Sequence, residues 1–120
     1  MTLSECYAAL GGDYGPVLDR LRSEAMVKKF LLRFPEDGSY DLLAQALAAG
    51  DQAEAFRGAH TLKGVCQNLG LDRLYGSSAE LCEALRGELR EEAPELFEQV
   101  KADYVQTVSA IRTYRDSGAV

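Results

Sequence analysis

The chain contains a single histidine, His60, in the segment Ala59-His60-Thr61-Leu62-Lys63-Gly64-Val65-Cys66-Gln67-Asn68-Leu69-Gly70-Leu71. Residues three and four apart on a helix are surface neighbours, so Lys63 and Gly64 flank His60 there. A neutral imidazole is a nucleophile at cellular pH, and a phosphoramidate formed on it passes its phosphoryl group onward readily. Lys63 supplies a positive charge for phosphoryl oxygens. Gly64 is unfavourable mid-helix by about 1 kcal/mol relative to Ala, which makes sense where another molecule's backbone must come close. A lone surface histidine is commonplace by itself. The lysine and glycine beside it, and the absence of a second histidine, favour a phosphoryl acceptor.

A helix turns by about 100° per residue. With His60 at zero, Leu62, Val65 and Leu69 fall on the opposite side, between roughly 140° and 200°, with Ala55, Gly58 and Cys66 nearby. That side is the expected core stripe. His60 points away from it with Phe56, Lys63, Gly64 and Gln67. For Phe56, one turn earlier, two readings stand: burial at the margin of the core, or an apolar anchor for a docking partner. Gln67 is a candidate contact to partner or phosphoryl group, or a solvated side chain. Arg57 and Lys63 would give this acidic protein a small basic face. Asn68, near the helix end, is assigned to local capping.

The elements that must hold this face are helices, since no segment alternates apolar and polar residues as a strand would. Thr2 and Glu5 form a capping box ahead of Leu3, Cys6, Tyr7 and Leu10, and Gly11-Gly12 closes that helix. Pro16 fits the first turn of a segment running through Leu18 and Leu21. A helix after Ser23 carries Val27, Phe30, Leu31 and Phe34 up to Pro35. Ser39 starts another with Leu43, Ala46 and Leu47, closed by Gly50. Asp51 and Glu54 cap the histidine helix, which should reach Leu69 with Gly70 past its end. The next is expected from about Asp72 to Glu88, presenting Leu74, Ser78, Leu81 and Leu85. Pro94 opens the last, with Phe97, Val100, Tyr104, Val108 and Ile111 inward. Short connections make consecutive helices antiparallel neighbours. The expected fold is all-α: an up-down-up-down antiparallel four-helix bundle. A single domain covers residues 1–120, with accessory N-terminal helices over about 1–22 and a core bundle over about 23–115.

Composition narrows the function further. In 120 residues, 13 Lys and Arg stand against 19 Asp and Glu, a formal net charge of −6. That length supports one core and no second catalytic domain. The acidic balance argues against affinity for nucleic acid or an anionic membrane. No apolar run approaches the roughly 20 residues that span a bilayer, and the N-terminus lacks the order of a signal peptide. The expected location is the cytoplasm, and the initial Met favours a free-standing protein. Cys6, Cys66 and Cys82 read as reduced thiols. One His and scattered Cys do not make the usual zinc spacings, so neither metal nor cofactor is expected. The acidic run Glu88, Glu91, Glu92 and Glu95 fits helix-dipole complementarity better than a carboxylate site. Gly11-Gly12-Asp13-Tyr14-Gly15 is too short a pattern for a nucleotide loop. With no ATP-binding motif, the chain should not phosphorylate itself.

Over roughly residues 23–115 the sequence resembles the histidine-containing phosphotransfer (HPt) domains of two-component phosphorelays. The resemblance rests on His60-x-x-Lys63-Gly64, then Asn68-Leu69-Gly70-Leu71, then Ala79-Glu80-Leu81 on the next helix, with the Leu43 to Phe56 stretch upstream. It implies a four-helix bundle with the active His exposed midway along one helix and phosphorylated at Nε2. It also implies exchange with aspartates of response-regulator receiver domains, directly or within a hybrid sensor histidine kinase, by a protein expected to be a monomer. Family members usually carry Glu or Gln 22 residues after the histidine, which accepts the Nδ1–H and leaves Nε2 as the nucleophile. Cys82 occupies that place here and is a weak acceptor, while Glu80 and Glu83 lie on other sides of the helix. The expectation is a more loosely held ring, unless Gln67, Glu83 or water takes over. The other reading is a non-catalytic helical adaptor that binds a receiver without relay activity.

Overall fold

A computed structural model describes residues 1–118. All regular elements among them are helical: α1 (Leu3–Leu10), α2 (Tyr14–Leu21), α3 (Glu24–Arg33), a 3-10 turn (Phe34–Glu36), α4 (Ser39–Ala48), α5 (Gln52–Leu69), α6 (Asp72–Ala84) and α7 (Ala93–Asp116). The Thr2 and Glu5 capping box is formed in both directions. Ser23 accepts from the Met26 N–H and Asp51 from the Glu54 N–H, so α3 and α5 begin where their caps stand. Pro35 falls within the 3-10 turn that ends α3.

The helix expected from Asp72 to Glu88 stops sooner, at Ala84. Leu85 is its C-cap and still faces the core, buried completely. The chain then turns through Gly87, whose φ of 79° lies in the left-handed region. The acidic stretch that follows is exposed. Arg90 pairs there with Glu88 and Glu92, and Glu95 sits in the first turn of α7.

Packing follows chain order from α4 onward: α5 lies against α4 on one side and α6 on the other, and α6 against α7. Leu43, Leu62, Cys66, Leu74, Leu81, Val100 and Ile111 are buried along these seams. The α4 and α7 faces meet through large rings. Tyr40 stacks on Tyr104 at 3.9 Å between centroids and on Phe97 at 5.9 Å. The α4–α5 seam is the opposite case. A Cβ on Gly58 would stand 2.9 Å from the Leu43 backbone nitrogen and 3.0 Å from its Cα, so these two backbones approach as only a glycine permits.

The N-terminal helices close one end. A helix leaves its last four carbonyls without intrahelical partners, and each of those on α5 is answered. The Leu71 N–H donates to the Cys66 carbonyl, while Arg20 donates to Gln67 and Asn68 at 2.9 Å each. The buried Tyr7 hydroxyl donates to Leu69 at 2.7 Å. Gly70, at φ 67°, makes the left-handed turn that ends the helix against Val17.

Two glycines on α5 should therefore respond with opposite signs. Gly58→Ala pushes α4 and α5 apart at backbone atoms and should destabilise by about 1–3 kcal/mol. Gly64 has open space around it, so Gly64→Ala should gain up to about 1 kcal/mol of helix propensity. Urea midpoints at constant m-value measure both.

Candidate functional site

His60 lies near the middle of α5 and is exposed. Ala55, Gly58, Ala59, Leu62, Cys66 and Leu69 are buried on the packed side. Val65, expected in the core stripe, is only half-buried. It lines a cavity of about 370 Å³ with Phe30, Phe34 and Asn68, because α3 and the 3-10 turn cover this edge of α5 incompletely.

Around the histidine, Lys63 is half-buried, and Gly64 and Gln67 are exposed. Nothing of the protein lies within 4 Å of where a Gly64 Cβ would stand. Intramolecular packing therefore does not require a glycine there. Phe56 is half-buried, and its ring centroid is 5.9 Å from that of His60. It packs partly against the core, as the first of the two readings for it has it, and also stands beside the histidine.

Arg57 is not drawn toward His60. It pairs with Glu54 one turn back at 3.0 Å, and both side chains are largely solvated. Its contribution to a basic face is partly neutralised on its own helix. Asn68 does not cap α5 through its side chain among the described contacts. Its backbone carbonyl is instead the group capped, by Arg20, which departs from the sequence expectation. The missing signal was an arginine 48 residues upstream, which helical periodicity does not connect to the α5 terminus.

Cys82 is buried at 1% exposure on α6. Burial pushes its thiol pKa upward, while Lys63 and Arg86 pull it back down. The ring contact with Phe56 is the one interaction of the His60 side chain among the described residues, and Cys82 makes no hydrogen bond to it.

Arg86 was not singled out from sequence, yet it belongs to this surface. Its guanidinium carbon lies 5.2 Å from the centroid of the Phe56 ring, a cation–π distance. Its Nε donates to both Glu83 carboxylate oxygens, at 3.3 and 3.2 Å. That bond holds the Glu83 carboxyl below its ordinary range, with Lys63 contributing to the same direction. The spacing of 86 from 82 and 83 was readable as i+4 and i+3. Which α5 residues it would meet depended on where α6 ends.

Among the described residues, no His, Cys, Asp or Glu cluster could hold a metal, and no helix is long and apolar enough to cross a membrane. Residues 25–111, well over half of the chain, match the family model of the Hpt domain. The chain belongs to the Hpt domain family. Such domains carry out histidine phosphotransfer in phosphorelays as phosphocarriers without kinase activity, and they interact with receiver domains and kinases. The α1 and α2 helices precede the matched residues. No curated protein and no solved structure matches the chain.

A ring without a fixed acceptor at Nδ1 should populate both neutral tautomers. Cys82→Gln introduces an acceptor and should shift His60 toward the Nδ1–H form by up to about tenfold, the scale of one net hydrogen bond. Nitrogen NMR shifts of the imidazole read this directly. An unchanged balance would assign the orienting role to another group or to water.

Proposed function

We propose that His60 is the phosphoryl acceptor of a phosphorelay intermediary, with Lys63 and Gly64 as the residues that serve the transfer. The observation that carries this reading is an exposed imidazole beside a glycine for which the protein's own packing has no use, within the segment matched to the family. In the forward step the Nε2 lone pair attacks the phosphorus of a receiver's aspartyl phosphate. The P–O bond breaks and its electron pair leaves as the aspartate carboxylate. The new Nε2–P bond leaves the ring protonated at Nδ1, and that proton can pass to solvent. Attack by a second receiver's carboxylate reverses these bond changes.

Lys63 offers its ammonium to the phosphoryl oxygens. Phe56, Arg57 and Gln67 form the partner-facing margin, with Arg57 the weakest of them because Glu54 engages it. Cys82 lies on the imidazole side. The scaffold is read as an up-down-up-down bundle of α4 to α7, with about 1–22 accessory to a core over about 23–115 in one domain. The protein acts as a cytoplasmic monomer, taking phosphate from a receiver, including that of a hybrid sensor histidine kinase. A receiver-binding adaptor without relay activity is the competing reading.

Incubation with a labelled, phosphorylated receiver decides between them. Transfer should give an acid-labile, base-stable adduct on the protein, and His60→Gln should abolish it. Binding of the receiver without label, or label that survives His60→Gln, would refute the carrier reading.

Gly64→Leu isolates the docking face. Its side chain projects into space that is open in the free protein, so the fold should persist while the receiver backbone is kept away. A clash of about 1.4 kcal/mol in the docked complex already slows transfer about tenfold. Transfer at the original rate by a folded variant would move the docking face elsewhere.

A further inference from the structure

We infer that the groove between the end of α4 and the start of α7 is a second docking surface, and that it takes a basic amphipathic helix of a partner protein. The inference rests on neither His60 nor Gly64. None of the residues lining this groove belongs to α5, so a segment seated there does not cover the histidine row.

The groove encloses about 420 Å³. Leu47 of α4 and Phe97 of α7 lie deepest in it, both half-buried. Pro94 and Leu89 are exposed at its edge, and Leu89 keeps 47% of its surface in water. Among the described residues only Met26 and Val105 are large apolar side chains left open in the same way, and neither lines this groove. Leu89 stands in the connection between α6 and α7 and takes no part in the core cluster. The fold's own packing therefore gives no reason for a leucine there. Contiguous apolar surface between two helices is what the apolar face of a third helix covers.

Charge selects the occupant. Arg90 is the one cation lining the groove, and both Glu88 and Glu92 engage it. Glu91 and Glu98 line the groove as well and form no ion pair among the described residues. The negative side continues along α4, where burial, Tyr104, Asp41 and Glu98 together push the Tyr40 hydroxyl pKa upward. The last turn of α4, at the negative end of its dipole, carries no basic residue. An apolar floor with an acidic border suits an apolar stripe flanked by Lys and Arg, and repels nucleic acid and anionic membrane. A second copy is disfavoured for the same reason, because two-fold pairing would bring two acidic borders together.

The test titrates the full chain into a labelled synthetic Leu/Lys peptide whose leucines fall at i, i+3, i+4 and i+7. Anisotropy gives the affinity, and amide NMR shifts of the protein give the place. The largest shifts should fall at Leu47, Leu89 and Phe97. Leu89→Ser, at an exposed position outside the core, should weaken binding about fivefold or more, the loss that marks an interface anchor. Glu91→Gln combined with Glu98→Gln should weaken it about three- to tenfold at low salt, and the difference should fade as salt rises. His60→Gln should leave the affinity unchanged. A changed affinity in that variant would place the peptide on the histidine face and overturn the inference. No binding, shifts spread over the whole acidic surface, or equal binding of a Leu/Glu peptide or of one with scattered leucines would also overturn it. Self-association that Leu89→Ser abolishes would make the occupant a second copy instead. Binding to anionic vesicles that Leu89→Ser abolishes would make it a membrane, and either result refutes the basic helix.

Discussion

With no side chain at position 58, the α4 backbone at Leu43 lies against α5 at a distance that one Cβ would forbid. That contact sets how deeply α5 sinks between its neighbours. Ala55, Ala59, Leu62 and Cys66 are taken fully out of water on one side, and the turn of the helix then determines what remains outside. His60 is two residues from Gly58, roughly 200° round the axis, so the closest approach and the exposed histidine sit on nearly opposite sides of one turn. A wider α4–α5 seam would rotate or lift the helix and change the exposure of the whole His60, Lys63 and Gly64 row. The large aromatic spacers between α4 and α7 show the complementary solution, in which bulk at Tyr40, Phe97 and Tyr104 fills a wider gap.

The far end of α5 is held as firmly as its middle. Arg20 and Tyr7 answer three of its last four carbonyls, and both belong to helices that precede the matched family segment. Burial pushes the Tyr7 hydroxyl pKa far upward, which favours the protonated form that donates this bond. The N-terminal helices cap the far end of the histidine helix, and Asp51 caps its start, so His60 is carried by an element held at both ends. If His60 is the acceptor, transfer gains from this, because orientation established in advance lowers the barrier that diffusion and docking would otherwise leave.

Much of this was legible from residue types at short spacing. Caps at Thr2, Ser23 and Asp51, the stop at Gly70 and the exposed row on α5 all depend on neighbours within four residues, and helical geometry connects those directly. The end of α6 was less legible. Leu85 continues the apolar stripe as a buried residue, so periodicity alone carries the helix past Ala84, and only the left-handed Gly87 reveals the turn. Contacts across long separations escaped for a different reason. Nothing local ties Arg20 to Asn68 or Arg86 to Phe56, because each pairing requires two helices to be placed first. The resemblance supplied a candidate acceptor and its surroundings on α5, but it was silent on what Cys82 does to the ring beside it.

Cys82 shows how one substitution redistributes roles around an otherwise familiar arrangement. An acceptor at this place would do two things at once: hold the Nδ1–H, and bring negative charge or its dipole near the cations. A buried thiol, pushed toward its neutral form by desolvation, does neither well. Ring orientation weakens by no more than the worth of a hydrogen bond, about 0.5–1.5 kcal/mol. If His60 is the acceptor, that modest loss falls where a docked receiver can make it good, because the partner's own contacts align the ring during transfer.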